Sequence, residues 1–551
     1  MSDKNLEAAI NLHKNNQLKE AEKVYLQILE RDPKNFNALY LLGTLKSQLC
    51  EYEEGINFIK KSLLINDNNF IAYSNLGLCY YNLNLLDEAI LFLNKSISQN
   101  NNYHESFNNL GSVYLRKKKY LKAFQNYKKA ILINNKFYDG YLNIVKLLIE
   151  IQKYKYAEKF LNNLLDINPD NYEYYYLKGL IYKRLNHFQT SMKNYLLALQ
   201  KNPRHFLSYN EIGYLFWLKK DYKNATINFN KSLSINKDFK GALINRGMTN
   251  LLLDKFNEGW NDYYNGRSEF TIKTKTPIWG GEIDTKDKSI FVYAEQGLGD
   301  IIQFARYIFL INNNFKKIYF YIPKSLKYLF SEINKKIELV TDFEKMKICD
   351  YYSPLLQLPL IFKTIPKEIN YFNINKKLVN HWLKRLPLKK YNIGVCWRAG
   401  NKKDILYSEY SKERSFGLDK LNKILEIKDV NLISLQKEPF EDKDNIFYKK
   451  LIKFDNLDNE NPFEDTAAII ESCELIISCD TSIAHLAGTL GKKTFLMLNY
   501  NNDWRWGLDK EYCQWYKNIK IYRQVLPNSW DLPFQKCYED ILKNLPKYEK
   551  N

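Results

Sequence analysis

FIAYSNLGLCYYNLNLLDEAI, residues 70–90, is answered thirty-four positions later by HESFNNLGSVYLRKKKYLKAF, residues 104–124. Most letters change, yet Gly77 maps onto Gly111 and Ala89 onto Ala123. Extended in both directions, the first position gives Gly43, Gly77, Gly111, Gly179, Gly213 and Gly247, with one beat missed at Val145. The second gives Ala21, Gly55, Ala89, Ala123, Ala157, Ser191, Ala225 and Gly259. Two small-residue phases in one period predict two helices per unit, touching where no large side chain fits. The register holds through seven full units and a partial one, which predicts a helical solenoid over residues 1–265. Pro33, Pro169 and Pro203 share a phase just past the second helix, where a missing N–H and a crowded preceding turn stop a helix. Tyr25, Phe58, Phe92 and Tyr127 lie on the second helix and are read as core between stacked units.

This pattern resembles the tetratricopeptide repeat (TPR) family. Asn75, Asn109, Asn143 and Asn245 share a phase on the first helix, two residues ahead of the small position. An Asn amide offers a donor and an acceptor, which matches a peptide backbone unit. The ladder is similar to that in the TPR region of protein O-GlcNAc transferases, and the resemblance implies a groove for an acceptor polypeptide. An Asn-rich chain with a common Asn-Leu-Gly repeat phrase is the plainer reading of the same residues.

The chain has 551 residues, 45% of them hydrophobic, and a net charge of +20. That length holds the solenoid and a second, two-lobed domain with proper cores. Basic residues are scattered, and the densest run, Arg116-Lys117-Lys118-Lys119, falls in a turn between helices. With no nucleic-acid-binding motif, no nucleic-acid partner is expected. The eight cysteines, Cys50, Cys79, Cys349, Cys396, Cys473, Cys479, Cys513 and Cys537, form no C-x-x-C pair and no zinc spacing, and are expected as reduced, mostly buried thiols. Met1-Ser2-Asp3-Lys4 opens directly into the first repeat without a secretory leader. No apolar run is long enough to span a bilayer, so a cytoplasmic protein with no transmembrane segment is expected.

Past residue 265 the period stops. Residues 266–285 read as a linker, and then short apolar runs alternate with helical stretches. Strands are predicted at Ser289–Ala294, Lys317–Ile322, Ile337–Val340, Tyr391–Trp397, Val430–Leu435, Leu475–Ser478 and Lys493–Leu498. Such alternation predicts parallel sheet with crossover helices. A break near 371–390 divides it into lobes at 286–378 and 391–551, the second closed by a C-terminal helix. The predicted fold class is therefore an all-α TPR solenoid followed by an α/β GT-B fold of two Rossmann-like lobes, with ligands at the carboxyl ends of the strands.

Two loops carry chemistry. Glu295-Gln296-Gly297-Leu298-Gly299-Asp300 follows a strand and opens a helix expected at Ile301–Ile311. Its third glycine is missing, so it is not a dinucleotide fingerprint. Asp480-Thr481-Ser482-Ile483-Ala484-His485-Leu486-Ala487-Gly488 follows another strand, and its hydroxyls and helix-start N–H groups make an anion site. With Ile393–Asn401, Arg414-Ser415 and Leu432–Gln436, these segments resemble the heptosyltransferase-type glycosyltransferases of family nine, in the subgroup fused behind TPR arrays. Trp397-Arg398-Ala399-Gly400 departs from the Trp-Ala-Gly usual in that subgroup. Heptose as the sugar does not carry over, because true heptosyltransferases lack the solenoid.

The resemblance implies an inverting, metal-independent transfer from a nucleotide-sugar to a protein or glycan acceptor held by the array. Asp300 is then the base that takes the acceptor proton. Thr481, Ser482 and the adjoining amides meet the departing diphosphate, with Arg398, Lys402 and Lys403 as its cations. Asp480 belongs to the same turn, His485 donates to phosphate, and Gln436 reads base or ribose. Gly297, Gly299 and Gly488 let the loops turn and approach closely. No metal or other cofactor is expected: the only Asp-x-Asp, Asp442–Asp444, lies in a charged loop and reads as solvated. Other readings stay open. Asp300 is also placed to cap its helix, and Arg398 with the lysines to be surface charge. Arg414-Ser415 reads equally as a structural cap and ion pair. Trp504-Arg505-Trp506 either closes the cleft or packs as core. A non-catalytic TPR adaptor with a degenerate second domain is the alternative function, and an epimerase or hydrolase on the same plan a third.

Overall fold

The computed structural model describes residues 2–168, 170–267, 275–331, 333, 336–345, 348–366, 370–387, 390–400, 411–437, 446–455 and 457–545. Sixteen helices, from α1 (Ser2–Lys14) to α16 (Phe256–Gly266), fill the repeat region as the period requires. From α1 to α12 each first helix packs on its partner, as does α15 on α16, and α3 (Phe36–Gln48), α5 (Phe70–Asn82), α7 (His104–Arg116), α9 (Tyr138–Glu150) and α11 (Tyr172–Arg184) also pack in succession on one another. The small-residue phases sit where expected. A Cβ on Gly77 would lie 2.6 Å from Leu93, and one on Gly111 2.6 Å from the Tyr127 ring. Tyr25 and Tyr127 are buried core, as their phase predicts.

A third phase emerges at the turn between paired helices. Asn16, Cys50, Asn84, Lys118, Gln152, Asn186, Lys220 and Asp254 all have positive φ, between 56° and 64°. The next residue donates its N–H across the turn, as in Glu51 N to Lys46 O at 2.9 Å and Lys119 N to Tyr114 O at 2.9 Å. These are left-handed helix ends of the Schellman type. Cys, Lys and Gln accept a conformation that costs roughly 1–2 kcal/mol, because the helix pair around them dictates it.

By internal packing the chain forms two compact units, Met1–Leu215 and Phe216–Asn551. Helix pairs continue through α16, yet the division falls inside α13 (Phe206–Leu218), so that α14 (Tyr222–Ile235), α15 (Lys240–Leu252) and α16 belong with the C-terminal unit. The reason is shared core. Leu251, Leu252, Trp260 and Tyr263 are buried in one cluster with Phe304, Trp504 and Trp515.

That second unit contains two parallel sheets. One has strand order β3-β2-β1-β4, with β1 Ser289–Tyr293, β2 Lys317–Tyr321, β3 Ile337–Val340 and β4 Tyr351–Pro354. The other runs β6-β5-β7-β8-β9, with β5 Tyr391–Cys396, β6 Val430–Ser434, β7 Leu475–Cys479, β8 Thr494–Leu498 and β9 Ile519–Arg523. All seven predicted strands form within a residue at each end. The two that sequence reasoning passed over, β4 and β9, are edge strands. One ends in Pro354 and the other alternates with Lys520 and Arg523, which only an edge tolerates. The helix after the first loop starts earlier than predicted, at Leu298, and is interrupted at Ala305 into Leu298–Phe304 and Arg306–Ile311. All eight cysteines are free thiols, seven of them buried.

Candidate functional site

Strands β5 and β7 are neighbours, with Cys396 opposite Ser478, so their carboxyl ends bring residues 396–400 beside the Asp480–Ser482 turn. In the other sheet β1 lies between β2 and β4 and delivers the Glu295–Asp300 loop. The two loops meet. A Cβ on Gly299 would lie 2.9 Å from His485 Cδ2 and 3.5 Å from Ser482 Cα. Only glycine fits, which accounts for Gly299 by close approach. Gly488 answers a packing demand, since a Cβ there would lie 2.7 Å from the Tyr516 ring. Gly297 is the N-cap of the helix Leu298–Phe304 at φ −68°, where no special backbone is needed.

Asp300 does not cap. Its Oδ1 lies 2.5 Å from Arg505 Nη2, while Arg505 Nη1 lies 2.8 Å from Asp503 Oδ1. Asp503 also accepts the Arg505 backbone N–H at 3.0 Å. Arg505 is only 6% exposed. Burial opposes its charge, but Asp300 and Asp503 more than reverse that and keep the guanidinium ionised. On the other side, Arg414 Nη1 donates to the Asp480 carbonyl at 3.2 Å and lies 3.7 Å from its carboxylate. Burial pushes the Asp480 carboxyl up, and Arg414 pulls it back.

His485 lies buried in the packing beneath Gly299. Burial first, then Arg505, depress its pKa to about 3. Its Nδ1 shares a 3.1 Å hydrogen bond with the Tyr516 hydroxyl, and its ring stacks on Trp506 at 5.0 Å. It is a neutral wedge beneath Gly299 and brings no positive charge to a phosphate. A depressed histidine contributes stability that is complete above its unfolded pKa of 6.5 and fades as pH falls toward about 3. The fold should therefore lose about 2 kcal/mol from this group between pH 7.5 and 5. Glu295, raised by burial to about 7, works oppositely over 4.5 to 7. The check is thus a difference: in urea melts of the whole chain at both pH values, His485→Gln should lose less stability on acidification than the wild type by that amount.

Gln436 has a structural contact at its amide oxygen. Its Oε1 accepts the Arg398 backbone N–H at 3.0 Å, with the Cys396 thiol at 3.6 Å. The Thr481 hydroxyl lies 3.1 Å from Ser478 Oγ, so the free end of this turn is Ser482 and the first N–H groups of the helix Ser482–Thr489. Ser415 Oγ accepts the Ala399 N–H at 3.0 Å, the structural role left open for it. Arg398 is half-buried beside them. Lys402, Lys403, Asp442 and Asp444 lie outside the described residues. Sequence reasoning passed over two groups. Glu295 receives the N–H groups of Leu355 and Leu356 at 3.1 Å each, which fixes the base of its loop. Arg505 was read only as part of an aromatic run. The signal was an arginine between two tryptophans, a charge placed where burial demands a partner.

In the first unit the asparagines do form a ladder. Asn75 Nδ2 donates to Tyr40 Oη at 3.0 Å, Asn109 Nδ2 to Ser74 Oγ at 3.5 Å and Asn143 Nδ2 to Asn108 Oδ1 at 2.9 Å. Each rung reaches a side chain one repeat earlier. A donor expected to face a ligand is spent between repeats, and the Oδ1 atoms accept no bond among the described residues. Asn245 keeps the phase on α15 in the second unit.

Sequence profiles described as "Tetratricopeptide repeat" match residues 114–181 and, in a second version, 71–103, 172–205 and 207–239. The chain carries a tetratricopeptide repeat array. It is 31% identical over 78 residues to the human "Tetratricopeptide repeat protein 6", covering 14% of this chain and 15% of that protein. It is 20% identical over 451 residues to "Protein FlbA" of Caulobacter vibrioides, covering 68% of this chain and 73% of that one. Among solved structures, Pseudomonas aeruginosa PilF is 21% identical with a TM-score of 0.34, covering 38% of this chain and 95% of its own. A TPR protein from Parabacteroides merdae is 18% identical with a TM-score of 0.40, covering 45% and 98%. TPR arrays hold protein partners, and the ladder lies within this one. Among the described residues no helix is long and apolar enough to cross a membrane.

Proposed function

We propose that the second unit is a GT-B glycosyltransferase of the family-nine type, inverting and metal-independent, which transfers a sugar from a nucleotide-sugar to a protein or glycan held by the TPR array. The observation that supports this most is the meeting of the two loops at Gly299, the residue before Asp300, which approaches Ser482 and His485. Asp300 Oδ1 rests on Arg505, leaving Oδ2 to receive the acceptor proton. The deprotonated oxygen bonds to the anomeric carbon from the face opposite the nucleotide. The bond from that carbon to the diphosphate breaks, and its electron pair leaves on the diphosphate, so configuration inverts. The N–H groups at Ser482 and the helix dipole meet that charge. Arg414 and Arg505 are balanced by Asp480, Asp503 and Asp300, and Arg398, whose backbone N–H is held by Gln436 at the carboxyl end of β5, is assigned to the phosphates.

The test is a thermal-shift panel on the whole chain with UDP-, GDP-, dTDP- and CMP-linked sugars. At least one should raise the melting temperature. Ser482→Glu should abolish that rise, since a carboxylate suits a helix N-terminus but repels the diphosphate. If no sugar nucleotide shifts the wild type, the chain is a TPR adaptor. Consumption of donor without acceptor would mean an epimerase or hydrolase.

A further inference from the structure

The array's last helix is built into the wall of the candidate site. Arg267 caps the end of α16, and its guanidinium lies over the Tyr263 ring at 4.5 Å. Its Nη1 donates to Gln296 Oε1. Gln296 precedes Gly297, the N-cap of the short helix that carries Asp300. The start of this arm is fixed, because a Cβ on Gly266 would lie 2.7 Å from Ile244 and α16 is therefore pressed onto α15. A second line of contact reaches the other face of Asp300. Trp260 packs edge-on against Trp504 at 5.1 Å and Phe304 at 5.7 Å, and Tyr263 meets Trp504 at 5.7 Å. Arg505, which holds Asp300, lies over the Trp504 ring at 4.5 Å and the Phe304 ring at 5.6 Å.

We propose that Arg267 is a positioning residue for Asp300, so that α16 is a working part of the site as well as the last turn of the array. The argument is one of constraint. Between Glu295, tied to Leu355 and Leu356, and Gly299, pressed on His485, the loop holds Gln296, Gly297 and Leu298. Gly297 makes no side-chain cap, and it is held at its carbonyl by the Ile301 N–H at 3.0 Å. The Arg267–Gln296 bond is the side-chain hydrogen bond on that interval among the described residues, beside the apolar packing of Leu298. Releasing it lets Asp300 swing relative to Arg505 and any acceptor, and a displacement of about 1 Å is enough to cost about a hundredfold in rate. A truncation at residue 265 would leave Arg267 but remove most of α16, including the Tyr263 ring on which its guanidinium rests.

The proposal takes from the function above only what Asp300 does; the tie itself is tested apart from it. Hydrogen exchange of the whole chain is compared for wild type, Arg267→Met, Arg267→Lys and the swapped pair Arg267→Gln with Gln296→Arg. Arg267→Met should speed exchange of amides 297–301 by about tenfold, an opening of about 1.4 kcal/mol, with the helix Ser482–Thr489 unchanged. Lysine and the swap should restore protection. With whichever nucleotide-sugar the wild type consumes, Arg267→Met should lower kcat while donor KM stays constant, and the swap should recover kcat. Unchanged exchange at 297–301, or acceleration spread over the entire second unit, overturns the proposal. A wild type that consumes no nucleotide-sugar defeats the glycosyltransferase reading, while the exchange result still decides the tie.

Discussion

Asp300→Asn in the whole chain is expected to lower turnover by about two to four orders of magnitude with little change in donor KM. The variant is close to isosteric, and Asn Oδ1 still accepts from Arg505, 2.5 Å away in the wild type. Arg505 also keeps Asp503, so the fold should survive with a loss of roughly 1 kcal/mol or less. What goes is the ability to accept a proton while the acceptor oxygen attacks. Donor contacts at Ser482 are untouched, so the loss belongs in kcat. Measuring kcat, donor KM and melting temperature on one preparation separates the outcomes. Turnover within about threefold of wild type would remove Asp300 from the role of base. Loss of turnover together with loss of fold would mean the carboxylate is needed mainly as a counter-ion for Arg505.

The repeat half was legible because its information is periodic and steric: a small residue every 34 positions has one structural meaning. The turn at Asn16, Cys50, Lys118 and Gln152 was not legible, although it keeps the same period. Asn and Asp favour that backbone and fill four of the eight places, but Cys50, Lys118, Gln152 and Lys220 fill the rest because the helix pair enforces the conformation. Every interior strand, such as Leu475–Cys479, stood out as an apolar run, and so did the edge strands β3 and β6, whereas the edge strands β4 and β9 did not. At the site, the two loops could be named from strand–turn–helix order, and their contact at Gly299 followed. Arg505 could not be assigned, because its partner Asp300 is remote in sequence and the pairing is a tertiary event. For the same reason, the burial of His485 and its bond to Tyr516 could not be read from its place in the loop. The end of the repeat period also hid a packing fact. A period records how helices pair, while the membership of α16 is decided by Trp260 and Tyr263 meeting Trp504.

Arg505→Met tests whether the buried charge cluster holds the second unit together. Methionine fills much of the space beside Trp504 and Phe304, so the loss is chiefly electrostatic. It leaves Asp300 and Asp503 facing one another without their shared cation, and breaking a buried pair in this way costs roughly 3–5 kcal/mol. The sign of the pH dependence is fixed by Asp503. Burial would raise its carboxyl, but Arg505 outweighs that and holds it below 3.8. A depressed carboxylate contributes stability that is full above 3.8 and lost as pH falls through its folded value. The variant never has this contribution, so its gap from wild type should be widest near neutral pH and narrow below about 4. Asp503→Asn added to Arg505→Met should recover part of the loss at neutral pH, because it removes one of the stranded charges. Urea melts at neutral pH and at pH 4 measure all three. A gap under about 1 kcal/mol at neutral pH would show that solvent already screens the cluster. The hold on Asp300 would then rest on the Glu295 anchor and the Arg267 tie alone.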